Sequence, residues 1–254
     1  MTTRPGAGGV QSVERVFRLL EAITAAGGEM SLSELSAAVQ LPLPTIHRLL
    51  RTLVPSGYVR QLPSRNYALG PRLILLGEAA GRQFGSAART RLDELVHELG
   101  ESANMAVLDG REVVYIAQAQ SSRSMRMFTE VGRRADTHDT GVGKAMLATL
   151  PDERVRAIVG TAGLSTPTPK SIGSLEGLFE DLGRIRERGY AIDDEETELG
   201  VRCYAVAVPG APTPTAVSVS GPVSRMDEEF RRRAVPLLCR TAEAIASELV
   251  PAPL

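Results

Sequence analysis

Apolar residues in the first hundred positions recur at helical spacing except over 58–69, and beyond them helical and strand spacings alternate. Ile46, Leu49, Leu50 and Leu53 fall at i, i+3, i+4 and i+7, the stripe of an amphipathic helix with one buried face. Its other face carries Thr45, His47, Arg48, Arg51 and Thr52. Upstream, Leu32, Leu35 and Val39 form a second stripe, opened by a capping box in which Ser31 precedes Glu34 by three residues. Residues 40–42 break it, because Pro42 lacks a donor and pushes the residue before it out of helical backbone. Pro44 then suits the first position of the next helix. Two helices across a tight turn, the second offering arginines and small polar groups to solvent, have the pattern of a helix-turn-helix that reads a DNA major groove.

The flanking pattern extends that unit. Val13, Val16, Phe17, Leu20 and Ile23 predict a first helix capped by Ser12, with a stripe wide enough to meet both the helix pair and a second copy. After Gly57, residues 58–62 and 66–69 alternate as strands around Pro63-Ser64-Arg65. They predict a wing that sets Arg60 and Arg65 against phosphate or a minor groove. A helix follows from Gly70-Pro71 to about residue 82, and Gly85 separates it from another over 87–99. Strand patterning begins at Asn104: residues 105–108 and 112–118 flank Asp109-Gly110, a two-residue hairpin signal, and 125–128 make a third strand. Residues 143–150, 151–159 and 175–188 read as helices, and 203–208 and 216–220 as strands. Residues 225–249 read as a closing helix with a break at Pro236. Strands interleaved with helices make this part α+β. The expected division is a flexible tail (1–9), a winged helix-turn-helix (10–70), a linker helix (71–83) and a second domain (84–254).

Charge sharpens this picture. The 254 residues carry a formal net charge of −1, which excludes a general polyelectrolyte coat for DNA. Residues 1–70 hold seven Arg and four Glu, net +3, leaving 22 basic and 26 acidic residues, net −4, downstream. A modestly basic head on an acidic body fits a site-specific DNA reader. Two cysteines, Cys203 and Cys239, are too few for a disulfide framework or a zinc finger. No apolar run is long enough to span a membrane, and residues 1–9 lack the apolar core of a signal peptide, so a cytoplasmic protein is expected.

Candidate chemistry is sparse. Thr140-Gly-Val-Gly-Lys-Ala145 is superficially like a phosphate loop, but one residue separates its glycines where that motif needs four, and Ala145 stands where it needs Ser or Thr. What remains is either an anion site on backbone N–H groups before a helix or a plain tight turn. The acidic run 193–196 suits a metal or a general acid, or a solvated loop. His47, His97 and His138 are too scattered for a metal centre, and there is no Gly-x-Ser-x-Gly elbow. Met125 and Met127 suit a core or a pocket wall. No cofactor is expected. A small-molecule enzyme with an accessory helical domain, and a structural adaptor, are the rival classes to a DNA-binding regulator.

The motifs together resemble the IclR family of bacterial transcription regulators over nearly the whole chain. The head matches at Gln-Ser-Val-Glu-Arg-Val (11–16), Leu-Ser-Glu-Leu (32–35), Thr-Ile-His-Arg-Leu-Leu-Arg-Thr-Leu (45–53), Gly-Tyr-Val-Arg (57–60) and Tyr-Ala-Leu-Gly-Pro-Arg-Leu (67–73). The body matches at Gly-Val-Gly-Lys-Ala (141–145), Gly-Tyr-Ala-Ile-Asp-Asp-Glu-Glu (189–196), Gly-Val-Arg-Cys (200–203) and Val-Ser-Val-Ser-Gly-Pro (217–222). The wing turn is shorter than the family's usual Asp/Gly-containing one. The resemblance implies a winged helix-turn-helix on double-stranded operator DNA, a linker helix and a GAF/PAS-like effector domain, in homodimers that often pair into tetramers. It implies an effector pocket framed by Gly141, Val142, Asp193, Cys203, Ser218 and Ser220, with Met125 or Met127 on its apolar wall. Residues 103–106 and 124–134 look like the repressors of allantoin degradation, which implies a small carboxylate effector such as allantoate or glyoxylate. The alternative is an activator or repressor of another catabolic pathway, for an aromatic or small organic acid.

Overall fold

The computed structural model describes residues 10–83, 88–124, 130–160 and 164–249, and the chain divides into two compact units between Ala80 and Gly81. The first contains α1 (Gln11–Ala25), β1 (Glu29–Met30), α2 (Leu32–Val39), α3 (Leu43–Leu53), β2 (Val59–Gln61), β3 (Tyr67–Leu69) and most of α4 (Arg72–Gln83). The apolar stripes meet as their spacing requires. Leu19 and Ile23 of α1, Leu35 and Val39 of α2, and Ile46, Leu49, Leu50 and Leu53 of α3 share one core with Val59 and Tyr67.

The capping box forms: Glu34 N donates to Ser31 Oγ at 3.3 Å, and Ser31 N donates to Glu34 Oε2 at 2.8 Å. Between α2 and α3 Gln40 adopts the left-handed conformation (φ 51°, ψ 46°). Leu41 N donates to Ser36 O and Ser36 Oγ to Leu41 O, so the tight turn is closed from both sides. Three local expectations are corrected. Ser12 lies inside α1, which starts after Val10 with no side-chain cap. Pro44 is the second residue of α3, because Pro42 already supplies extended backbone at the N-cap and Leu43 starts the helix. The wing gains a strand: β1 pairs with β3, giving the order β1-β3-β2. At two residues β1 is too short to show alternation.

The second unit contains α5 (Ala88–Leu99), β4 (Ser102–Asp109), β5 (Glu112–Ala119), β6 (Arg134–Asp136), α6 (Gly141–Ala148), α7 (Asp152–Val159), α8 (Leu175–Arg188), β7 (Ala191–Asp194), β8 (Val201–Ala207), β9 (Thr215–Pro222) and α9 (Glu228–Leu249). Its six strands form one antiparallel sheet in the order β6-β5-β4-β9-β8-β7. Helices α5 and α9 cover one face, packing Leu92, Leu95, Leu238 and Ile245 on Met105, Tyr204, Val217 and Val219. Helix α6 covers the other and α8 packs on α6, so that Met146, Leu147, Leu178 and Leu182, with Val155 and Ile158 of α7, share one core with Ala106, Val113, Ala205 and Ala216. A sheet covered on both faces buries β9 without alternation, from Thr215 through Gly221.

Differences from the sequence reading here are local. The 125–128 strand lies outside the described residues, while β6 and β7 are strands the pattern did not show. The β4–β5 loop is Gly110-Arg111, one residue later than expected, with Gly110 at φ 65°. Helix α6 starts at Gly141 rather than Gly143, because Thr140 caps it by accepting from Gly143 N at 3.2 Å. Helix α9 runs unbroken through Pro236, which is exposed. No helix among the described residues is long and apolar enough to cross a membrane.

Candidate functional site

In the first unit the folding of α3 onto its apolar stripe turns His47, Arg48 and Arg51 to solvent, with Thr45 half-buried beside them. Arg60 is exposed on β2, and Arg65 is exposed at the wing tip with φ 68°, where Arg65 N donates to Leu62 O and closes the turn. Among the described residues, no side-chain hydrogen bond or ion pair engages Arg48, Arg51, Arg60 or Arg65. By contrast, Arg18 donates to Val39 O at 2.8 Å, and Arg72 stacks over Tyr58. Residues 35–77 contain five Arg and no Asp or Glu. On the wing sheet the exposed Glu29 lies in register with Arg60 across Ala68, and no ion pair joins them among the described residues. A helix face and a wing that present such unmatched guanidinium groups can meet phosphates and base edges.

In the second unit, strand register lays two adjacent rows of side chains across the sheet face that α6 covers. One row runs Ser102, Ser220, Cys203, Asp193 over β4, β9, β8 and β7. The next runs Gln118, Asn104, Ser218, Ala205 over β5, β4, β9 and β8. Four residues expected from sequence, Asp193, Cys203, Ser218 and Ser220, therefore share one face, and all are buried. Gly141 and Val142 sit above them at the start of α6. A Cβ on Gly141 would lie 2.9 Å from Cys203 Sγ, and one on Gly143 would lie 2.3 Å from Thr137 O. These glycines let the helix approach sheet and loop. Met125 and Met127 lie outside the described residues.

Hydrogen bonding assigns parts within the cluster. Asp193 Oδ1 accepts from Glu196 N and Thr197 N, and Oδ2 accepts from Thr197 Oγ1. The carboxylate is thus largely occupied by its own loop. Burial raises its pKa, against the lowering effect of those bonds. Burial pushes the Cys203 thiol up to about 12, with Asp193 adding to the shift. Gly143 N is taken by Thr140, so the first-turn amides of Gly141 and Val142 are those left for an anion.

Sequence reasoning missed three features. Lys144 is 1 % exposed and pairs with Asp181 Oδ2 at 2.9 Å and Glu196 Oε1 at 2.5 Å. Its signal was a lone lysine within an apolar helical run, and its partners lie 37 and 52 residues away. The acidic run 193–196 is correspondingly split: Asp193 and Glu196 are buried, and only Asp194 and Glu195 face outward to Arg202 and Lys170. Asn104 and Gln118 were also missed, polar residues in strands that otherwise read as apolar. Finally, Asp136, His138 and Asp139 bring ligand atoms within 4.8 Å of one another, a spacing that suits a cation. Two of the three are already engaged by one residue. Ser165 Oγ donates to Asp136 Oδ2 at 2.5 Å, and His138 Nε2 bonds Ser165 O at 2.8 Å.

Comparison with known proteins fits this arrangement. Residues 12–63 match the IclR helix-turn-helix domain, and residues 81–247 match the C-terminal domain of bacterial IclR transcriptional regulators. The transcriptional repressor IclR of Escherichia coli K12 is 38 % identical over 240 residues, covering 90 % of this chain and 86 % of that protein. The transcriptional repressor AllR of Salmonella typhi is 33 % identical over 246 residues, 95 % and 90 % of the two chains. AllR proteins are thus among the relatives, and other repressors of the family stand as close. The crystal structure of Thermotoga maritima IclR superposes with a TM-score of 0.79 at 28 % identity, covering 94 % of this chain and 98 % of that one. These relatives are transcription regulators, not enzymes. A helix-turn-helix domain followed by the C-terminal domain of IclR regulators accounts for most of the sequence, and the chain belongs to the IclR family of transcriptional regulators.

Proposed function

We propose that the protein is a repressor whose head holds operator DNA until a small carboxylate occupies the polar rows of the second unit. The observation that carries the DNA half is the set of exposed arginines on α3 and the wing that have no side-chain partner among the described residues. Arg48 and Arg51, with Thr45 and His47, read bases in the major groove; Arg60 and Arg65 hold phosphate or the minor groove. Two copies act together, and Val13 and Phe17, exposed on α1, are the apolar groups that a second head would cover.

The effector half places the carboxylate on the amides of Gly141 and Val142 at the α6 N-terminus, where the helix dipole favours an anion. Ser218 and Ser220 supply hydroxyls to the remainder, and Asp193 shapes the wall. Allantoate and glyoxylate are the first candidates, because residues 103–106 and 124–134 resemble repressors of allantoin degradation. Release of DNA by tenfold requires the ligand to favour the unbound arrangement by about 1.4 kcal/mol.

A gel-shift titration against DNA flanking the protein's own gene, with and without each acid, tests both halves. The expected result is a sequence-selective, salt-sensitive shift that allantoate or glyoxylate weakens. A shift insensitive to sequence removes the operator reading. A selective shift weakened only by an aromatic or aliphatic acid assigns the pocket to another catabolic pathway.

A further inference from the structure

The effector residues carried over from the family fill only the β7–β9 part of the two polar rows. On β4 and β5 the second row continues through Asn104 and Gln118, cross-strand partners that are 2 % and 8 % exposed. Asn104 Nδ2 donates to Ser220 Oγ at 3.3 Å, which joins it to the site, while its Oδ1 meets no partner among the described residues. Gln118 Oε1 accepts from Gln120 Nε2 at 3.3 Å, and its Nε2 likewise meets no partner among the described residues. Two neighbouring strands therefore hold one unmatched acceptor and one unmatched donor, side by side and out of water. Buried polar groups are costly when unmatched, and these two carboxamides do not bond to each other.

We propose that Asn104 and Gln118 form a subsite that reads a primary carboxamide or a terminal ureide on the effector. Such a group presents an N–H and a C=O on one edge, which complements an acceptor and a donor on adjacent strands. A ketone offers only the acceptor, and an aliphatic chain offers neither. Ser220 is a positioning residue, because its bond to Nδ2 fixes how the Asn104 carboxamide is turned. The inference rests on the carboxylate reading above, and adds what the far end of that ligand must be.

Isothermal titration of the full chain with N-carbamoylglycine and with levulinate tests it. Levulinate keeps the carboxylate and the carbonyl, and replaces the ureide nitrogens by carbon. The expected result is at least tenfold preference of the parent for N-carbamoylglycine. Gln118→Met and Asn104→Leu should each bring the two acids within about twofold by weakening the ureido acid alone. Gln118→Met should unfold at no lower temperature than the parent, since it removes an unmatched donor. Equal affinities in the parent overturn the proposal. So does an equal loss for both acids in the variants, or a fall of several degrees in the unfolding temperature of Gln118→Met. If neither acid binds, the subsite falls too. Binding of glyoxylate or of an aromatic or aliphatic acid in that case leaves the carboxylate reading standing, and failure of all of them removes both.

Discussion

Glu196 is where burial and charge compete most openly. Burial pushes its carboxyl up to about 7, although the Lys144 ammonium beside it pulls the other way. The same cause raises Asp139 to about 6, opposed by His138. A carboxyl whose native pKa lies above its ordinary value holds a proton that the unfolded chain has released. The stability it contributes is full below about pH 4.5 and is lost as pH rises through 7. The unfolding temperature of the parent should therefore fall between pH 5 and 7.5, and that of Glu196→Gln should fall less. Identical slopes would exclude Glu196 as the source. On the DNA face the division of labour is equally local. An arginine paired to a guanine edge contributes about 1–3 kcal/mol of discrimination, whereas a phosphate contact strengthens all sequences alike. Arg48→Ala should relax sequence choice in competition gel shifts and Arg65→Ala should lower affinity uniformly. Unchanged specificity ratios in both variants would end that assignment.

Helix termini and helix interiors give the predictions at the next scale. Ser31 satisfies one first-turn donor of α2, so Ser31→Ala should cost about 1 kcal/mol in urea unfolding, with Ser31→Gly less damaging. Pro236 sits inside α9 and is exposed, so its ring denies Arg232 a helical partner and gives no packing in return. Pro236→Ala should raise stability, by up to about 3 kcal/mol, and a lowered denaturation midpoint would show that the ring is packed. These elements also show what spacing alone could reveal. Helices α2, α3, α7 and α8 bury one stripe each, and their residues announced it. The capping box at Ser31 and Glu34 and the wing around Arg65 were equally local signals. Strands β1, β6 and β7 are two to four residues long, too short for a period to register. The inner sheet strands are buried on both faces, so Asn104, Ser218 and Gln118 do not stand out by alternation. Lys144 was hidden for another reason, since its partners arrive from α8 and from the loop after β7. The four residues Asp193, Cys203, Ser218 and Ser220 came from family likeness, and register then put them on one face.

For the whole molecule, charge is divided as the work is divided. A net +3 head on a net −4 remainder favours DNA at one end of the chain and discourages indiscriminate binding by the other. The logarithm of DNA affinity should fall linearly with that of salt concentration, at about 0.9 per phosphate neutralised. Arg65→Ala should flatten this slope by about one unit per contact, whereas an unaltered slope would move Arg65 off the phosphates. The buried thiol of Cys203, pressed against Gly141 and held almost wholly protonated at neutral pH, gives the second unit an internal clock. Alkylating reagents attack thiolates, so Cys203 reacts only in the moments when α6 lifts from the sheet, while half-buried Cys239 reacts without waiting. The ratio of the two labelling rates, read by mass spectrometry, measures how often the covered face of the sheet opens. Any molecule that settles on the polar rows and closes them should slow that clock without touching the sulfur.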